Sequence, residues 1–274
     1  MITPENIDFH HGGFQNKLRF DKVHAQRCKK LPFESVTCEV TQNLQTDGYH
    51  IIESAFNKDT LQSLRGEFNN ALENGQCKTD AYYSTVQNPL INCPSVINVA
   101  TDDQIIKPLS SYFGCTPAIG TLNFRRSYVN TGDPVTTQLF HCDPNSYLFF
   151  KCFIYLNDVK DVGSGPLTIV PESLKKKPSN WSSKYRWTED EMKQVYGEDA
   201  LKYLTASAGD LIISRATLGF HRGTPPTTQE RTMLTLNYVI HPEEWRSPEF
   251  KIRQEDYELL PENKKPLADF LVKV

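Results

Sequence analysis

The chain reads as a mainly β protein: a double-stranded β-helix (jelly-roll, cupin-like) core with α-helices flanking it on the N-terminal side. Three observations predict this. From about residue 118 onward, short runs of β-branched and aromatic residues alternate with turn residues. The runs follow one another closely, as in sandwiches, barrels and jelly rolls. Helical periodicity lies mostly before them. The chain has 274 residues, 38% of them hydrophobic, enough to bury a sizeable core. One domain is expected over 1–274: a strand–helix region at about 40–117, the jelly-roll core at about 118–241, and a C-terminal tail at 242–274.

TDGYHIIESAF (46–56) has a glycine turn followed by an apolar strand. NKDTLQSLRGEFNNALENG then sets Leu61, Leu64, Phe68 and Leu72 at helical spacing, with Asn57 or Asp59 as cap and Gly75 as stop. A second helix is expected over about 103–113, where Pro108 must begin, kink or end a turn. The β runs are AIGTLNFRRSYV, VTTQLFHCD, YLFFKCFIYLNDV, GPLTIVP, LKYLTAS, DLIISRA, GFHRG and RTMLTLNYVI. Turns at Gly132-Asp133-Pro134, Gly163-Ser164-Gly165 and Gly209-Asp210 divide them. One helix interrupts: TEDEMKQVYGEDALKYL opens with a capping box, Thr188 to Glu191. The N-terminal stretch with His10, His11 and His24 reads as irregular.

Net charge is −3 and the pI is near 6.2, which leaves no electrostatic footprint for nucleic acid or an anionic membrane. The seven cysteines are odd in number and show no CxxC spacing, so reduced thiols and a cytoplasmic location are expected. The first residues lack an apolar leader, and the most apolar run, LFFKCFIYL, is interrupted by Lys151 and far too short for a span. No nucleophile elbow, P-loop or dinucleotide fingerprint occurs. The oligomeric state is left open.

Within LFHCDPN, His141 and Asp143 are two positions apart, which on a strand puts both side chains on one face. A lone HxD is more often a surface hydrogen-bonded pair. His221 changes the balance, because it sits in GFHRG directly after the strand DLIIS. Two imidazoles and one carboxylate on one face leave half of an octahedron open. Non-haem Fe(II) suits that set, its open positions taking a co-substrate and O2. Zinc prefers a closed tetrahedron, or three ligands and a water.

Arg231 begins RTMLTLNYVI, and with period two it shares a face with Met233, Thr235 and Asn237. An arginine inside a small barrel is costly unless it meets an anion. Its fork suits a carboxylate, either an acidic side chain of the protein or a ligand.

With these residues in place, the chain resembles the phytanoyl-CoA dioxygenase-like branch of the Fe(II)/2-oxoglutarate oxygenases, from about Gln45 to Ile240. TDGYHIIESAFNKDTLQSLR looks like the N-terminal strand–helix entry and HCD like the HxD motif. GPLTIVPESLKK looks like the glycine-led strand with its proline turn, with PESL where PGSH is usual. GDLIISRATLGFHRGTPPTTQERTMLTLNYV looks like the segment with the distal histidine and the arginine. The resemblance implies that His141, Asp143 and His221 bind iron and that Arg231 holds the distal carboxylate of 2-oxoglutarate. It also makes Asn123, Arg125 and Gln138 candidates for the co-substrate pocket. Where the family often has a hydroxyl residue two places after the distal histidine, this chain has Gly223. Halogenating relatives replace the carboxylate with a small residue, so the presence of Asp143 implies hydroxylation or another oxidation.

The function expected is oxidation of a C–H bond of a small organic molecule, using Fe(II), 2-oxoglutarate and O2, with succinate and CO2 as co-products. The alternatives are a cupin-like metal binder without turnover, or an oxygenase acting on a protein or nucleic acid. Several residues carry a plainer expectation. Lys151 reads as a snorkelling lysine, with a place in the pocket as its second reading. Arg126 and Arg222 read as surface or salt-bridge residues, Cys142 as core, Tyr82 and Tyr83 as candidates for the pocket wall. Trp181, Tyr185 and Trp187 read equally as local packing or a lid.

Overall fold

The computed structural model describes residues 13–143, 147–181, 183–215, 219–241 and 250–274, with side chains from residue 17. The β runs form two sheets. The larger has the spatial order β1 (Tyr49–Ile52), β8 (Leu211–Ser214), β5 (Phe149–Tyr155), β10 (Arg231–Val239), β4 (Ala118–Ser127), β3 (Tyr83–Val86) and β2 (Cys77–Thr79), antiparallel throughout. The smaller has the order β7 (Lys202–Leu204), β6 (Leu167–Val170) and β9 (Phe220–Gly223). Neighbours distant in sequence, such as β5 beside both β8 and β10, show the chain wound as a folded double ribbon. This is the jelly roll.

Alternation along β5 separates two cores. Phe150, Cys152 and Ile154 face the helical layer. Phe153 and Tyr155 point between the sheets, onto Leu167, Ile169, Leu204 and Ile212. The buried Tyr155 hydroxyl accepts the Leu167 N–H at 2.8 Å and donates to the Leu204 carbonyl at 3.3 Å, stitching one sheet to the other. Losing that hydroxyl would strand a buried amide, at a cost of about 1–3 kcal/mol.

Helices α3 (Lys58–Glu73) and α6 (Asp103–Phe113) cover the outer face of the large sheet. Asn57, not Asp59, caps α3 by accepting the Thr60 N–H at 2.9 Å. Gly75, at φ +70°, supplies the left-handed turn that follows. Asp102 caps α6, and Pro108 is accommodated inside that helix without ending it. Helix α7 (Glu189–Tyr196) carries the expected capping box, Thr188 and Glu191 bonding each other's backbone N–H.

The structure departs from the sequence reading at four places. The N-terminal stretch is helical from Gly13 to Lys30 (α1), so His24 sits on a helix; His10 and His11 lie outside the described residues. Helix α1 is mostly polar and therefore shows little hydrophobic period. Arg27 anchors it, donating to the carbonyls of Thr116, Pro117 and Pro266 and pairing with Asp269. Three further helices, α2 (Glu39–Thr46), α4 (Pro89–Asn92) and α5 (Ser95–Ala100), add to this layer.

VTTQLFHCD is not a continuous strand. Thr136–Gln138 form a 3-10 turn with Thr136 at φ +48°, and only Phe140 and His141 make β-bridges. Finally, 250–274 is not a loose tail. Strands β11 (Lys251–Ile252) and β12 (Val272–Lys273), with α8 (Gln254–Leu259) between them, bring Ile252, Leu267 and Leu271 into the core of the helical layer. Among the described residues, no helix is long and apolar enough to cross a membrane.

Candidate metal centre and its cavity

His141 and His221 are joined through their backbones. Each N–H donates to the other's carbonyl at 3.0 Å, making an isolated antiparallel bridge that places β9 beside the HxD segment. Asp143 follows in irregular backbone, so the bridge fixes one residue of the motif and the chain beyond it carries the other. The donor atoms of His141, Asp143 and His221 all lie within 4.8 Å of one another.

The two histidines are oriented alike. Nδ1 of His141 bonds to the Leu139 carbonyl at 2.8 Å and Nδ1 of His221 to the Gly219 carbonyl at 3.1 Å, in both cases two residues back. A carbonyl only accepts, so Nδ1 carries a proton in both rings and Nε2 points inward. Nε2 of His221 lies 3.0 Å from Asp143 Oδ2 and Nε2 of His141 3.6 Å from Oδ1. Burial, reinforced by the neighbouring His221, pushes the His141 pKa down to about 3 and keeps that ring neutral. Burial pulls the Asp143 carboxyl upward, but Lys151 and the two imidazoles outweigh it and hold it well below the usual carboxylate range. Two imidazole nitrogens and one carboxylate are the donors that Fe(II) takes in a facial set.

The triad opens onto a cavity of about 330 Å³. Its wall takes alternate residues from two adjacent strands: Thr121, Asn123 and Arg125 from β4, and Arg231, Met233, Thr235 and Asn237 from β10. Arg231 is 4% exposed. Its guanidinium donates to the Gly165 carbonyl and to Ser127 Oγ, while its Nε is buried without a partner. The internal Arg–Asp pair weighed from the sequence is not found among the described residues, where no carboxylate pairs with it. Arg125 stacks 4.3 Å over the Tyr83 ring and donates to Thr85 Oγ1 at 3.1 Å. A Cβ added at Gly223 would lie 3.4 Å from Arg231 Nη2, so this glycine stands against the guanidinium.

Asn123 and Arg125 therefore line the cavity, as does Tyr83, but Gln138 does not. Its Oε1 accepts the Val135 N–H at 2.9 Å and closes the 3-10 turn, leaving the neighbouring Thr137 to face the cavity. The preference for a snorkelling Lys151 is also corrected. Lys151 lies on the inward face of β5, lines the cavity and forms an ion pair with Asp143. Its phase with Phe153 and Tyr155 is the sequence signal that could have placed it there. Phe250, beyond the expected core, also reaches the cavity.

The tryptophan insertion does not cover the site. Trp187 is buried and exchanges two backbone bonds with Phe140, Trp181 packs against the same cluster, and Tyr185 is exposed. Arg222 is buried, pairs with Glu189 and lies 4.7 Å over the Phe140 ring, backing β9 on the side away from the cavity. A second group of donor atoms, His24, Cys28 and Cys115, lies apart from the cavity. There His24 Nε2 is already 2.6 Å from the Phe113 carbonyl.

No protein-family profile matches the chain, and no curated protein matches it in sequence. Solved structures share its fold. The epimerase SnoN, crystallised with Fe3+, alpha ketoglutarate and nogalamycin RO, is 17% identical at a TM-score of 0.59, over 73% of this chain and 82% of its own. HygX from Streptomyces hygroscopicus, with nickel and 2-oxoglutarate bound, is 14% identical at 0.57, over 74% of this chain and 87% of its own. The carbocyclase SnoK from nogalamycin biosynthesis is 16% identical at 0.58, over 76% of this chain and 86% of its own.

Proposed function

We propose that this chain is an Fe(II)- and 2-oxoglutarate-dependent oxygenase of the phytanoyl-CoA dioxygenase-like branch, a single domain over 1–274 that oxidises a C–H bond of a small organic substrate. One observation carries the reading. A set of two imidazoles and a carboxylate shares its cavity with a buried arginine that no acidic side chain among the described residues neutralises. A mere metal binder has no use for that arginine. The fold shared with structures holding a metal and 2-oxoglutarate supports it further.

His141 and His221 would present Nε2, and Asp143 one oxygen, to the metal. Arg231 would take the distal carboxylate of 2-oxoglutarate in its fork, with Ser127 and Gly165 holding the guanidinium in place. Asn123 and Arg125 stand on the same wall and fit the co-substrate pocket. Bound Fe(II), with 2-oxoglutarate and O2, supplies the oxidant and leaves succinate and CO2. The chain's own contribution is orientation and dryness: Phe153, Leu167 and Met233 form the apolar lining that excludes water. Seven unpaired thiols fit the cytoplasm.

Hydroxylation is the proposed outcome. SnoN is an epimerase and SnoK a carbocyclase, so the same fold serves other products. A product heavier by one oxygen identifies hydroxylation, an unchanged mass epimerisation, and a loss of two hydrogens ring closure. The first test is anaerobic: Fe(II) and 2-oxoglutarate are added to metal-free protein and the weak visible charge-transfer band of the chelated keto acid is sought. The band should appear, vanish in His221→Ala and need far more 2-oxoglutarate in Arg231→Met. Folded protein that binds iron without giving the band would leave the metal binder as the reading.

A further inference from the structure

The cavity has a second polar end, and the co-substrate reading leaves it unused. Lys151 on β5 and Asn237 on β10 are directly opposite one another in register, so their Cβ atoms are roughly 5 Å apart and one small group can touch both. Arg231 lies six residues away along β10, on the order of 20 Å of strand. A five-carbon diacid seated on Arg231 and the metal leaves Asn237 vacant.

Asn237 is 5% exposed. One edge of its carboxamide bonds Thr121 Oγ1 at 2.5 Å, while Oδ1 is buried with no partner. A half-turn of the amide lets the Thr121 hydroxyl donate to Oδ1 and leaves the N–H donors as the edge without a partner. A buried polar edge without a partner is costly unless a ligand meets it.

Lys151 has only Asp143 as an ion-pair partner among the described residues. A metal on Asp143 takes that carboxylate's charge, and the ammonium then needs another anion. The charge balance of the cavity points the same way. Among the described residues that line it, Arg125, Lys151 and Arg231 face a single carboxylate, Asp143. A divalent metal and a doubly charged 2-oxoglutarate cancel one another and leave the positive excess in place.

We propose that Lys151 and Asn237 form a carboxylate clamp for the substrate, so that the substrate is a small organic acid bound on the far side of the metal from Arg231. This rests on the oxygenase reading, and the test separates the two. Anaerobic protein is loaded with Mn(II) and 2-oxoglutarate, and proton NMR reads paramagnetic broadening of 2-oxoglutarate, propionate and propionamide together.

Broadened 2-oxoglutarate methylene signals report the co-substrate site. The propionate methyl should broaden at least fivefold more than that of propionamide. Lys151→Met and Asn237→Asp should each abolish that difference, and Asn237→Ala should reduce it about threefold, all with 2-oxoglutarate broadening retained as proof of an intact site. Equal broadening of acid and amide in the wild type overturns the clamp. So does propionate broadening that survives Lys151→Met, since the metal itself would then hold the anion. Loss of 2-oxoglutarate broadening in Lys151→Met but not in Asn237→Ala would assign the lysine to the co-substrate and also overturn it. If wild-type protein broadens nothing, the oxygenase reading and the clamp fall together.

Discussion

Arg231 and Lys151 are both cations on the inward faces of neighbouring strands, yet they are held in opposite ways. Arg231 is locked by neutral oxygens, Gly165 O and Ser127 Oγ, with no matching charge among the described residues. Lys151 is matched by Asp143, a residue with a second use. The arginine is built into a socket that awaits an anion. The lysine is a provisional counter-ion whose partner is also a metal donor. A buried charge is therefore informative through what its partner is for, and not through burial alone.

The sharpest way to break this contrast is Asp143→Asn. It removes a metal donor and the lysine's partner together, and should weaken Fe(II) by at least about 100-fold in competition with a chromophoric chelator. Unchanged affinity would take Asp143 out of the centre. Next in size is Arg231→Met, expected to raise the 2-oxoglutarate Kd about 100-fold by calorimetry while leaving Fe(II) affinity within about twofold. Arg231→Lys should recover only part, because an ammonium lacks the planar fork.

Lys151→Met should act in the reverse sense on the metal. Removing the ammonium that competes for Asp143 should tighten Fe(II) about fivefold, with 2-oxoglutarate affinity within about twofold. Weaker iron binding would show that the lysine supports the donor set. The smallest effect is expected for Gly223→Ser. Its added Cβ would meet Arg231 Nη2 at 3.4 Å, an ordinary contact, and the hydroxyl it carries should tighten 2-oxoglutarate about threefold, the scale of one added hydrogen bond.

The contrast also marks how far the sequence could be read. Strands β4 to β10 were legible because period-two runs, glycine turns and strand length agree. His141, Asp143, His221 and Arg231 stood out because few other pairings of those residue types fall on strands. Lys151 was misread because an apolar run with one lysine fits a covered surface as well as a cavity, and only the register against β10 decides. Gln138 was misplaced for a different reason. VTTQLF has the pattern of a strand, but Thr136 adopts a left-handed backbone and Gln138 bonds back to Val135. Helix α1 was invisible because its anchoring comes from Arg27 and distant carbonyls, which leave no hydrophobic period. Phe250 was unreadable as a wall residue because only tertiary packing brings it back to the barrel.

The backbone bridge between His141 and His221 has a consequence for how the centre is filled. Because the two imidazoles are tied by paired amide bonds and each is steered by its own carbonyl two residues back, an incoming ion finds two donors already aligned. Loading then resembles docking into a finished mould, with little chain to gather, and unloading leaves the barrel standing. Iron should exchange in and out of folded protein, so an emptied sample is a reservoir that can be refilled with cobalt, nickel or manganese without refolding.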